Sequence, residues 1–287
     1  MRSSITLLIL IAVAPASAHQ PVMDMAPRWA DGYGFQLRQV HFGSDDLVRG
    51  GDDIDNPLGF ERFVDTTWLE GVYTFDRSLR ATIKVPYVNQ RRVTPINGVG
   101  VRQRSSGMGD VILGLPFKRY KNQGATTQNW AITPSIRIPT GSSRGDFPIS
   151  DGSWDVGLSI SHSRETPRLY QLYDLYYWHE GSGKRGMQTG NSWGLDINVG
   201  LHPWHNNDNN SGLFMLWDIS ARHEDAPNAL NLTMASGGDR VQTGPVLMYY
   251  RQNFMARAEI KLVAYEHVGG TGVSRGNEFS LAFGLTF

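Results

Sequence analysis

Ser161-His162-Ser163 sets an imidazole between two hydroxyls, the start of a nucleophilic constellation. Such a constellation also needs a third group to orient the imidazole. None is evident nearby, and by parity His162 shares the apolar face of its segment with Ile160. No catalytic residue is assigned, and an enzyme is the weakest of the functional classes considered. Metal chemistry has two starting points. His19, Met23 and Met25 would offer an imidazole, two thioethers and a free amine after cleavage before His19, donors that suit copper. His202 and His205 have ligand-like spacing beside an Asn-rich turn. A tail and a solvated turn account for both groups, so neither a metal nor a cofactor is expected. Asp45, Asp46, Asp52, Asp53 and Asp55 cluster within 43–63 but lack EF-hand spacing, so a solvated acidic loop is expected. Arg91, Arg92, Arg102 and Arg104 fall in 89–107, a second expected loop, where they would meet anionic lipid heads or the acidic loop.

A larger set of charges shares one orientation. Arg38, Glu70, Arg80, Lys84, Asp110, Arg137, Asp174, Asp196, Asp218, Arg222, Arg257, Glu259, Lys261 and Glu278 occupy the polar phase of alternating segments. Arg80 with Lys84, and Arg257 with Lys261, each share a face. If these faces enclose a lumen, opposed walls of unlike sign would orient a small polar solute. The competing reading is that the charges neutralise one another and fill the interior.

The elements that carry these residues are strands. Leu79, Ala81, Ile83, Val85 and Tyr87 alternate with Arg80, Thr82 and Lys84; Trp193, Leu195, Ile197 and Val199 alternate with Asp196 and Asn198. A period of two gives one apolar and one polar face. The segments run to about 10 residues, enough to cross a bilayer when tilted. Tyr87, Phe117, Trp130, Trp154 and Trp193 end apolar faces, as an interfacial girdle does. We place about 12 strands at 33–42, 64–75, 79–88, 108–118, 130–139, 154–163, 169–179, 192–202, 213–222, 241–250, 254–265 and 277–287, with 10 or 14 as alternatives. Connections alternate long and short, although 119–129 and 203–212 are middling. Pro134 and Pro245 fall inside strands, which implies later strand starts or bulges. Segment 169–178 is apolar on both faces.

The 287 residues include 27 basic and 27 acidic groups, 32 glycines and no cysteine. Zero net charge argues against nucleic-acid binding. Lack of cysteine removes disulfides and thiolate chemistry. Residues 1–18, with Arg2, an apolar run from Ile5 to Val13 and Ala16-Ser17-Ala18, read as a cleaved signal peptide. Residues 19–32 would form a short periplasmic segment and 33–287 the barrel.

Gly107-Met108-Gly109-Asp110, Gly114, Ile138-Pro139-Thr140-Gly141 and Gly152-Ser153-Trp154-Asp155 resemble the transporter family named for the MetA pathway of phenol degradation. The match is best over 107–200. It implies an outer-membrane barrel with a transport role and no catalytic residues. Phe279, Leu281, Phe283, Leu285 and Phe287 resemble the C-terminal assembly signal of such barrels, implying the barrel assembly machinery as partner. The expected molecule is all-β: an antiparallel transmembrane barrel of about 12 strands in the bacterial outer membrane, both termini periplasmic. It would contact lipid and lipopolysaccharide and pass a small hydrophilic or amphipathic solute by passive diffusion. The alternative is a non-conducting structural or loop-presenting barrel.

Overall fold

In the computed structural model, residues 29–96, 99–145, 147–184, 187–206, 208–229, 232–233 and 237–287 are described. Residues 1–28 lie outside this set, and with them the signal peptide and His19, Met23 and Met25. The wall is built from β1 (Gly32–Ser44), β2 (Glu61–Thr74), β3 (Arg80–Ile96), β4, β5 (Thr126–Ile138) and β6 (Asp155–Glu165). It continues through β7 (Leu169–His179), β8 (Ser192–Asn206), β9 (Ser211–Glu224), β10 (Gly238–Arg251), β11 (Phe254–Val273) and β12 (Glu278–Thr286). β4 comprises three consecutive pieces, Val99–Met108, Val111–Gly114 and Phe117–Gln123. Each strand pairs antiparallel with its sequence neighbours, and β1 pairs with β12 from Gly34↔Thr286 to Phe42↔Glu278. The sheet is a closed 12-stranded antiparallel barrel. Among the described residues no helix is long and apolar enough to cross a membrane.

The faces follow the alternation, with polarity reversed relative to a water-soluble protein. Phe35, Leu69, Ile83, Ile132, Leu158, Leu175, Trp217, Leu281 and Phe283 point outward and are exposed. Gln36, Arg38, Glu70, Lys84, Asp196, Asp218 and Lys261 point inward and are buried. A continuous exposed apolar band of this kind requires a lipid neighbour. The expected girdle residues Tyr87, Phe117, Trp130, Trp154 and Trp193 all lie on the outer face.

Strand lengths differ from those expected. The segment 89–107 is no loop: β3 and the first piece of β4 form a hairpin, paired from Tyr87↔Met108 to Ile96↔Val99. The middling connections are also strand, since β4 pairs with β5 out to Gln123↔Thr126, and β8 with β9 out to Asn206↔Ser211. The connections at one end of the barrel are therefore all short, while the other end carries the long connections after β1, β5, β7 and β9 together with the extended β3–β4 hairpin. Both prolines stay within strands. Pro134 faces the break in β4 at Leu115-Pro116, and Leu115 donates its N–H to the Pro134 carbonyl at 3.0 Å. At Pro245 the ladder to β11 lapses between Thr243↔Leu262 and Val246↔Glu259. Each proline thus sits where its missing donor leaves no partner stranded.

The wall is uneven at the long-connection end. β12 stops at Glu278 while β1 and β11 run on. The residues between β11 and β12 cover the notch, together with a small hairpin, Leu47–Gly50 and Asp52–Ile54, that pairs with β11. Gly276 (φ +72°) lies where an added Cβ would fall 2.2 Å from the Gly43 carbonyl oxygen, so only glycine fits there.

Candidate functional site

Alternation turns the charged residues inward, and neighbouring strands then bring them together. Arg38 and Glu70 form a buried ion pair, which Gln36 extends by donating to Glu70 at 3.0 Å. Lys261 lies 3.0 Å from Asp218 and 3.5 Å from Glu259, and Arg257 lies 3.5 Å from Glu259. Asn198 donates to Asp218 at 2.8 Å; Arg222 reaches Asp196 at 3.9 Å. Arg80 donates to the Tyr120 hydroxyl at 3.1 Å. Lys84 is buried, with Glu70 and Arg38 as its nearer-strand charges and Asp174 and Asp196 facing it from β7 and β8. The interior is thus charge-compensated, largely between nearby strands. Most charges thus meet a counter-charge on a nearby strand, and Lys84 in addition faces the carboxylates of β7 and β8 across the interior. Two apolar clusters share the same interior. Val40, Phe42, Val64, Trp68, Ile112, Tyr176 and Trp178 form one; Phe214, Leu216, Val246, Met248, Tyr250 and Met255 form the other. Gly157 makes room for the first, since a Cβ there would meet the Trp178 ring at 2.8 Å.

Asp110 and Arg137 sit in a knot at the long-connection end. The Asp110 carboxylate accepts from Gly141 N–H at 2.8 Å and from the Ser150 hydroxyl at 2.7 Å. Thr140 donates its hydroxyl to the Gly109 carbonyl at 2.9 Å and accepts from Val111 N–H at 3.0 Å. Arg137 meets Asp155 at 2.8 Å and Glu180 at 2.9 Å. The Ser153 hydroxyl donates to Asp155 at 2.6 Å. The connection after β5 is thereby folded inward and buries Phe147 and Ile149, with the Arg92 guanidinium 4.1 Å from the Phe147 ring centre.

The family model described as the MetA-pathway of phenol degradation matches residues 40–283. The chain belongs to this family. Among solved structures, the COG4313 outer membrane channel from Pseudomonas putida F1 is similar at a TM-score of 0.69 and 12% identity, covering 92% of this chain and 98% of that one. A Pseudomonas aeruginosa FadL homologue is more distant, at a TM-score of 0.40 and 10% identity over 88% and 90% of the two chains. No curated protein matches the sequence. The first likeness gives this MetA-pathway family member an outer-membrane-type barrel fold. The sequence motifs that resembled the family now have a physical role: Gly109-Asp110, Thr140-Gly141 and Ser153-Asp155 are bonded into the one knot that folds a connection into the lumen.

Other candidates separate from this interior. His162 lies on the outer face, its ring centre 4.4 Å from that of Trp130 and 6.4 Å from that of Tyr173. A bulge between Leu201 and Trp204 turns His202 and His205 to the same side, where their ring nitrogens lie 3.1 and 3.0 Å from the Tyr250 hydroxyl. Among the described residues no group of three or more His, Cys, Asp or Glu is placed to hold a metal. In the acidic connection, the Ser44 hydroxyl donates to Asp46 at 2.8 Å. Arg102 lies 3.2 Å from Glu61, and Arg91 stacks over Phe63 at 4.3 Å.

Sequence reasoning missed Glu180, Arg62, Arg240 and Arg275. Glu180 continues the inward parity of Asp174, Tyr176 and Trp178, so extending β7 by one step would have found it. Burial pushes the Glu180 carboxyl up to about 7, against the pull of Arg137. Its folded value lies above its ordinary one. The corresponding stability is full below the ordinary carboxylate range and is lost as pH rises through about 7. Hydrogen exchange in 139–145, 147–154 and 180–184 should therefore be faster at pH 8 than at pH 6 after correction for intrinsic chemistry. Glu180→Gln should abolish that difference; a difference that persists would remove Glu180 as its source.

Proposed function

We propose that this protein is an outer-membrane channel for passive diffusion of a small hydrophilic or amphipathic solute through a narrow lumen. The observation that carries this reading is an interior of buried ionisable side chains running along most of the barrel. An interior that only held the wall together would be served as well by apolar packing, since buried ion pairs add little net stability over hydrophobic replacements. Arg38, Glu70, Arg80, Lys84, Asp174, Asp196, Asp218, Arg222, Arg257, Glu259 and Lys261 would line the path. Asp110 and Arg137 would act through the folded-in connection. The two apolar clusters would border the same path and narrow it.

The family's description and the likeness to a channel agree with this reading. Family membership also favours a cleaved leader before His19, termini and short turns in the periplasm, and long connections facing lipopolysaccharide. Phe287 would then be read by the barrel assembly machinery. The second reading, a non-conducting barrel, is favoured by the compensated charges and the two apolar clusters. Single-channel recording of the refolded protein in planar bilayers separates the two. Stable steps whose ion selectivity shifts in Arg80→Ala and Lys84→Ala are expected. A tight seal, from protein proved folded by heat-modifiable gel mobility, would establish the filled barrel instead.

A further inference from the structure

Above the paired charges, toward the long connections, lies a crowded layer of guanidinium groups. Arg62 comes from β2, Arg222 and Glu224 from β9, Arg240 from β10 and Glu266 from β11. Glu278 opens β12, and Arg275 hangs from the residues that cover the notch. Electrostatic neighbours place them together: Arg62 senses Glu224, Arg240 and Glu266, while Arg275 senses Arg240, Arg222, Glu224 and Glu278. Phe42 lies between two of them, with Arg275 3.7 Å and Arg62 5.9 Å from its ring centre.

The carboxylates do not saturate this layer. Arg275 is paired with Glu278 at 3.2 Å, but Arg240 meets Glu224 and Glu266 only at 3.5 and 3.9 Å. Arg62 Nη2, Arg240 Nε and Arg275 Nε are buried with no hydrogen-bond acceptor among the described residues, and Arg240 Nη2 has only the long contact to Glu224. The large majority of buried N–H groups are satisfied, so these open positions mark an excess of donors over acceptors in the layer. Burial holds the Arg275 pKa down to about 9, against the pull of Glu278. An anion seated here would relieve that burden.

We propose that Arg62, Arg240 and Arg275 form a binding subsite inside the lumen for a small monocarboxylate. This deepens the channel reading and rests on it for its biological meaning, though not for its physical basis. One carboxylate offers about four lone-pair sites, and guanidinium forks engage it in plane. Glu224, Glu266 and Glu278 leave one unmatched charge among Arg62, Arg222, Arg240 and Arg275, so a monoanion neutralises the layer where a dianion such as hydrogen phosphate would overcharge it. The subsite would hold the solute at the long-connection end, ahead of the apolar cluster around Phe42 and Trp68.

Calorimetric titration of the full folded protein in detergent with propionate tests this, with inorganic phosphate as the competing probe. Saturable propionate binding is expected, weakened about tenfold in Arg62→Gln, as expected for loss of a charge-assisted hydrogen bond. Arg275→Lys, which keeps the charge but removes the fork, should also weaken it. Arg91→Gln, which alters a guanidinium stacked on Phe63, should bind as the unaltered protein does. Should Arg62→Gln fail to fold, Arg275→Lys alone decides. Absence of saturable binding, equal affinity for phosphate, or unchanged affinity in the folded variants would each overturn the subsite. Conductance is a separate readout. Binding without conductance would sink the channel and leave the subsite; conductance without binding would do the reverse.

Discussion

Glu70→Ala should destabilise the folded barrel by about 3–5 kcal/mol, the usual result of stripping one partner from a buried ion pair. Glu70 is fully buried and accepts from both Arg38 and Gln36. Truncation leaves the buried Arg38 guanidinium without its carboxylate, beside the Lys84 ammonium. Most of the loss comes from that stranded cation rather than from the pair's net worth. The double replacement Arg38→Met with Glu70→Leu removes both charges and should recover most of the stability. Denaturant unfolding of the refolded proteins in one detergent, followed by tryptophan fluorescence, measures both. If the single and double variants lose equal stability, stranded charge is not the cause.

Trp68→Ala should raise single-channel conductance several-fold while costing about 3–5 kcal/mol of stability, the usual range for truncating a large buried aromatic. Trp68 sits in the apolar cluster with Phe42, Val64, Tyr176 and Trp178, where charged layers above and below are otherwise separated. Its indole Nε1 is buried and has no hydrogen-bond acceptor among the described residues, so the ring is held by packing. Truncation opens space bounded on one side by the Arg38 guanidinium, 5.9 Å from the ring centre. A polar boundary lets that space hold water, where a purely apolar void would stay dry. Planar-bilayer recording of the variant beside Leu69→Ala, whose side chain faces outward, isolates the effect. Equal conductance in the two variants would place the constriction elsewhere.

Much of this architecture was legible because lipid and lumen impose opposite demands on alternate residues. Strand β7 shows where legibility fails. Leu172, Tyr176 and Trp178 are apolar yet buried on the inner face, and Tyr176 and Trp178 belong to the cluster around Trp68. Alternation cannot distinguish a lipid-facing aromatic from an inward-facing one. The hairpin of β3 and β4 was invisible for another reason. Beyond the bilayer both faces meet water, so polarity no longer alternates although the strand continues. Arg62, Arg240 and Glu180 lie in such extensions or just past them, which is why the guanidinium layer and the knot were missed. The inward charges themselves were legible one by one, but their pairing was not. Lys261 meets Asp218 across an intervening strand, a relation that only register and closure create.

The pairing of β1 with β12 has a consequence in time. Tyr33 and Phe287 exchange backbone hydrogen bonds at 3.0 and 2.7 Å, and their rings stack at 5.3 Å. Every other wall seam joins strands adjacent in sequence and can form as a local hairpin. This one must wait for the most distant part of the chain, and it bears the greatest loop-closure entropy. Until it forms, β1 presents an unpaired edge to any passing strand. The hazard of misassembly therefore lies in the interval between the arrival of the first strand and that of the last.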